Sequence, residues 1–111
     1  MNKTEKMNGF IIIKELKNPV EVTIIAQQYI TLQVQQEEQE VETFGKCLYE
    51  AIAFFPDNVK VNVVTNNVFV TNTITYWSEE VKQKCTYWKN FYEQIKEKNI
   101  ELVAYTKYEL N

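Results

Sequence analysis

The feature that most constrains this chain is a change of hydrophobic period near residue 40. Upstream, apolar residues alternate: Val20, Val22 and Ile24 set against Glu21, Thr23 and Ile25, then Ile30, Leu32 and Val34 against Thr31, Gln33 and Gln35. A repeat of two sends successive side chains to opposite faces of a strand. Downstream, Val41, Phe44, Leu48, Ile52 and Phe55 recur at three- and four-residue steps, with Cys47 and Ala51 beside them. That is the stripe of an amphipathic helix, ended by Pro56. A chain that passes from strand to helix period must pack a helix on a sheet.

The other segments fill in the order. Residues 1–9 are polar and are expected to form a flexible N-terminus, with residues 10–111 a single domain. Residues 10–15 read as a short strand, and Lys17-Asn18-Pro19 as a turn. The two alternating runs, joined near Gln27 and Gln28, read as a hairpin. Residues 35–42 are rich in Gln and Glu, a solvated strand end leading into the helix. Residues 59–65 are β-branched, and the adjacent apolar pair Val63-Val64 fits a central strand covered on both faces. Residues 68–77 are open between strand, by propensity, and helix, by the placement of Phe69, Val70, Ile74 and Trp77. Residues 78–86 are polar and charged. Trp88, Phe91, Tyr92 and Ile95 mark a second amphipathic helix, and residues 100–105 a last strand. The expected order is β-β-β-α-β-α-α-β. A helix between two strands favours a parallel, right-handed crossover. The fold class is therefore α/β: a mixed five-stranded sheet, antiparallel meander first and parallel strands after, with helices packed on it.

Composition excludes more than it selects. With 111 residues, 45% hydrophobic and 24% charged, the chain is one domain with a packed core. Apolar runs such as residues 10–13 fall far short of the ~18 residues of a membrane span, and no signal peptide is visible; a soluble, cytoplasmic protein is expected. There is no His and no Arg, one Asp (Asp57), one Ser (Ser78) and two Gly (Gly9, Gly45). Ser-His and Cys-His nucleophile pairs, imidazole metal sites, phosphate-cradling glycine loops and guanidinium clamps are all excluded. Cys47 and Cys85 fit no zinc or C-x-x-C spacing. They read as reduced thiols, Cys47 on a buried helix face.

One stretch carries a resemblance. Val61-Asn62-Val63-Val64-Thr65-Asn66-Asn67-Val68-Phe69-Val70, followed by Ile74-Thr75-Tyr76-Trp77, resembles the ribonuclease H family. Its members carry a strand ending in Thr-Asp-Ser, an aromatic-Val pair and a helix with a buried Trp. Residues 88–105 match a further helix and the last strand, and residues 42–55 the first helix. About half of the chain is covered in this way, the meander by topology only. The resemblance implies a ribonuclease H-like fold, but its catalytic residues do not carry over. Family enzymes hold two magnesium ions with acidic side chains. Here the first-strand carboxylate falls at Lys14-Glu15, the helix glutamate at Glu42, and the aspartate after the fourth strand is Asn66. The flexible-loop histidine falls near Tyr108, and the last aspartate belongs to a further helix for which no matching residues follow. Glu15, Glu42 and Asn66 are thus degenerate positions. No catalytic residue, metal or cofactor is expected, and the chain is not expected to be an enzyme.

What remains is binding. The family grips nucleic acid through a basic segment after the Trp, which here carries Lys82, Lys84 and Lys89, with Tyr76, Trp77, Tyr87 and Trp88 nearby. Basic and aromatic residues interleaved in this way hold phosphates and stack bases. Asn66 and Asn67 are further candidates, with a simpler role as the cap of the strand-to-helix turn. Over residues 78–98 five Lys face four Glu, so any binding of RNA or DNA would be weak and salt-sensitive. The expected function is an inactive ribonuclease H-like module, a bacterial or mobile-element regulator or accessory factor. The alternative is an acidic protein-interaction or inhibitor domain with no nucleic-acid contact, since a pI near 5.0 suits a basic partner. The last strand is expected at a sheet edge, open to a protein partner or a second copy unless Lys107 and Glu109 protect it. No membrane partner is expected.

Overall fold

The computed structural model of the chain describes residues 6–14 and 17–107. β1 (Met7–Ile13) leads to a hairpin of β2 (Val20–Ile25) and β3 (Tyr29–Val34). Then follow α1 (Glu40–Ile52), β4 (Val59–Thr65), α2 (Val68–Tyr76), α3 (Ser78–Lys84), α4 (Thr86–Glu97) and β5 (Glu101–Thr106). The strands form one five-stranded sheet in the order β3-β2-β1-β4-β5. β2 pairs antiparallel with both β1 and β3, while β4 pairs parallel with β1 and β5. This is the mixed α/β arrangement that the resemblance to ribonuclease H implies, with β5 at an edge.

Strand alternation sets the layers. Register puts Ile11 beside Ile24 and Val63, and Ile13 beside Val22. These residues, with Val20, Val34 and Val61, are buried on one face of the sheet. The helices pack on that face: α1 contributes Phe44, Leu48 and Ile52, and α4 contributes Trp88 and Phe91, all buried.

Each helix end has a local cause. α1 opens on a capping box, in which Glu42 Oε1 accepts from the Gln39 N–H at 3.3 Å. Its last turn carries no basic residue. Lys98, just past α4, supplies the cation instead, donating to the carbonyls of Ile52 at 3.1 Å and Phe55 at 2.8 Å. α2 begins at Asn67, whose Oδ1 accepts from Phe69 N at 2.8 Å. Thr71 and Thr73 bond back to Val68 O and Phe69 O, which satisfies their buried hydroxyls within the helix.

Several expectations are corrected. β1 starts at Met7, because Met7, Asn8 and Gly9 pair with Val59, Lys60 and Val61. Three helices, not two, separate β4 from β5, since residues 78–84 form their own short helix. Trp77 is 45% exposed; the buried tryptophan is Trp88. β4 is interior to the sheet, but Val64 faces away from the helices and is only half-buried. Among the described residues no helix is long and apolar enough to cross a membrane.

Candidate functional site

Two places bear on function. The first is the carboxyl end of the parallel pair β1–β4, where the ribonuclease H resemblance puts a metal centre. Ile13 lies beside Thr65, so Lys14 and Asn66, the next residues, leave the two strands side by side. Lys14 brings an ammonium group where a carboxylate ligand would be needed. Asn66 brings a neutral amide that makes no hydrogen bond among the described residues. Asn67 is the one that caps α2, and its own N–H donates to Thr65 Oγ1 at 3.1 Å. Glu42 is engaged in the α1 cap. Glu15 and Tyr108 lie outside the described residues. Among the described residues no three His, Cys, Asp or Glu side chains gather where a metal could bind. A cation, an amide and a capped carboxylate do not suit a two-magnesium centre, which needs converging anionic oxygens.

The second place is a groove of about 640 Å³ between α3 and α4. It brings together Lys82, Lys84 and Lys89, the three lysines singled out in the sequence, and adds Lys96. Glu79 and Glu93 share its walls. Lys82 is partly spoken for: it bridges Glu79 at 2.8 Å and sits 5.4 Å from the centroid of the Tyr92 ring. Lys84, Lys89 and Lys96 therefore face Glu93 as the net basic set. Tyr92 forms the floor. Its hydroxyl is buried without a hydrogen-bond partner among the described residues. Burial, and secondarily Glu79, push its ionisation well above the ordinary range. The phenol is therefore held neutral.

Lys96 and Tyr92 escaped the sequence reading, although a signal was present. Lys89, Tyr92, Glu93 and Lys96 stand at steps of three, four and seven, which is one helical face. The aromatics divide. Trp88 is core, and Tyr87 packs on Tyr49 with ring centroids 6.3 Å apart. Tyr76 and Trp77, 74% and 45% exposed, stand free where α2 gives way to α3. Asn66 and Asn67 do not line the groove.

No family model matches the chain. No curated protein matches it. Among solved structures the chain is similar to a foamy viral protease-reverse transcriptase, solved in complex with an RNA/DNA hybrid. The likeness runs over 96% of this chain and 19% of that one, at 14% identity and a TM-score of 0.49.

Proposed function

We propose that the chain is a non-catalytic ribonuclease H-like module that binds RNA or DNA weakly through the α3–α4 groove, acting as a regulatory or accessory factor. The observation that carries this reading is the convergence of Lys82, Lys84, Lys89 and Lys96 on one open groove. Lysines two turns apart on α4 meet lysines of α3, spaced to follow a phosphate backbone rather than to read base edges. Exposed Tyr76 and Trp77 offer stacking surfaces close by in the chain. The non-catalytic part of the reading is supported by the β1–β4 corner, where Lys14 and Asn66 bring an ammonium group and an amide rather than carboxylates.

An electrophoretic shift assay tests the reading with single-stranded RNA, duplex DNA and an RNA/DNA hybrid, at low salt and with Mg²⁺ present. Retardation without cleavage supports it. Absence of any shift at low salt removes the nucleic-acid part and leaves the acidic protein-interaction alternative. Hybrid cleavage that disappears in Glu42→Gln removes the non-catalytic part.

A further inference from the structure

β5 closes the sheet on one side, and among the described residues only β4 pairs with it. Its backbone groups divide by parity. Lys107 donates its N–H to Thr65 O at 2.9 Å, so Glu101, Val103, Tyr105 and Lys107 turn their N–H and C=O groups towards β4. Leu102, Ala104 and Thr106 turn theirs outwards, to the open edge. The side chains divide in the same way. Leu102, Ala104 and Thr106 share the helix face with Val61, Val63 and Thr65, and Glu101, Val103, Tyr105 and Lys107 lie on the opposite face. Glu101 and Lys107, at the two ends of this strand, are exposed. Among the described residues the ion pairs are Lys46–Glu37 and Lys82–Glu79, so Glu101 and Lys107 are both unpaired, although Lys60 lies beside Glu101 in register.

We propose that β5 pairs antiparallel with β5 of a second copy of this chain, about a two-fold axis through Ala104, joining the two sheets into one. The strand is its own complement about that residue. A continuous sheet keeps both sets of helices on one side, so opposed residues share a face and the axis passes through a residue. Through Ala104 it sets Ala104 against Ala104 of the second copy and Leu102 against Thr106, so that every outward residue of β5 exchanges both its N–H···O=C bonds. The intervening pairs are Val103 with Tyr105 and Glu101 with Lys107. These are the pairs without mutual hydrogen bonds, whose side chains stand closest across a ladder. Each copy thus gives the other an aromatic partner for Val103 and an opposite charge for Glu101, and receives the same. An axis through Val103 or Tyr105 would instead face Glu101 with Tyr105, or Lys107 with Val103. β3, at the other edge, carries no charge and has no such complement. The helix face leaves room for the axis. The hydroxyls of Thr71 in α2 and Thr106 in β5 hydrogen-bond at 2.5 Å, two residues from Ala104. The two copies of α2 therefore meet β5 at points about 13 Å apart along the strands, more than a helix diameter of about 10 Å. Lys107 is then a pairing residue rather than a guard of the edge.

The test is sedimentation equilibrium of the full chain at low salt, from about 10 µM to 1 mM, the range in which a small interface associates. The expected mass rises from 13.2 kDa towards twice that value. Glu101→Lys or Lys107→Glu alone sets like charges together at both ends of the ladder and weakens association by about tenfold or more. The two variants mixed in equal amounts associate with each other, because the lysines of one then face the glutamates of the other. The double exchange E101K/K107E associates with itself again. Should a variant unfold, amide hydrogen exchange of the unmodified chain decides. Protection of Leu102, Ala104 and Thr106 grows with concentration, while Val103, Tyr105 and Lys107 are protected throughout by β4. A constant 13.2 kDa mass overturns the proposal. So does a dimer indifferent to both reversals, a mixture of the two variants that stays monomeric, or edge amides whose exchange ignores concentration. The residues of the lysine groove all lie outside β5, so these outcomes are read separately from nucleic-acid binding.

Discussion

The indole N–H of Trp88 donates to the backbone carbonyl of Val41 at 2.7 Å, tying α4 to the first turn of α1. The approach is close because residue 45 has no side chain. A Cβ there would stand 2.6 Å from Trp88 Cδ1 and 2.9 Å from Nε1. Gly45→Ala forces the indole or α1 to shift and is expected to cost about 2–3 kcal/mol, even though Ala is the better helix former. Trp88→Phe loses the hydrogen bond and leaves a cavity, at about 2–4 kcal/mol. Urea unfolding midpoints at unchanged slope check both.

Lys98 closes the far end of α1. Its ammonium reaches the carbonyl of Ile52, the last residue of α1, whose last turn has no basic residue, and that of Phe55 three residues further on. Lys98→Met keeps the stem and removes the charge, and should cost about 1–2 kcal/mol. Thermal unfolding reads the loss; an unchanged melting temperature would mean that water serves those carbonyls equally well.

Stability should fall at alkaline pH. Burial pushes the Cys47 thiol from an ordinary 9.0 up to about 12. Tyr92 is shifted upward as well, mainly by burial. Between pH 9 and 12 the unfolded chain has released the thiol proton while the folded chain still holds it. Fewer protons bound when unfolded means that stability declines as pH rises, by up to about 1.4 kcal/mol per unit for one group. Below pH 9 the two states hold the same proton and the dependence vanishes. Cys47→Ala should flatten the slope between pH 9 and 10 whatever it does to the absolute stability. For the same reason Cys47 should resist thiol reagents until the fold opens.

The sheet was legible because strand alternation and helical spacing are direct consequences of one-sided burial. Val20, Val22 and Ile24 had to share a face, and Phe44, Leu48 and Ile52 a stripe. Two helices were hard to read for opposite reasons. In α2 the β-branched residues argue for strand, and it is the Asn67 cap together with the burial of Val70 against the sheet that favours helix. α3 buries Val81 alone, so it carries no periodic signal. The site was half legible. Lys82, Lys84 and Lys89 were visible as charges, but that Lys96 joins them depends on how α3 lies against α4. Glu42 was read as a former metal ligand, although the Gln39-x-x-Glu42 spacing is also a helix-start pattern, and the cap is what the structure holds. Val64 was expected to be covered on its own face of β4 and is only half-buried there, because composition tells that a face is apolar and not what lies on it.

Divalent ions should not stabilise the fold. A ligand that binds only the folded state raises stability by RT ln(1 + [L]/Kd), so a millimolar site would add about 1.4 kcal/mol at 10 mM. With Lys14 and Asn66 at the β1–β4 corner, Mg²⁺ or Mn²⁺ at about that concentration should leave the melting temperature within a degree of a salt-matched control. A larger rise would show that oxygen ligands do converge there.

The most direct measurement is a fluorescence anisotropy titration of labelled single-stranded RNA over a salt series, with Lys84→Glu/Lys89→Glu beside the unmodified chain. Lys84, Lys89 and Lys96 against Glu93 predict a dissociation constant of about 10–100 µM at low salt and a log–log salt slope of about −1.4. The doubly substituted chain should bind at least tenfold more weakly, with a flatter slope. Equal affinity in the two proteins, or no binding at the lowest salt, would contradict the assignment of the α3–α4 groove.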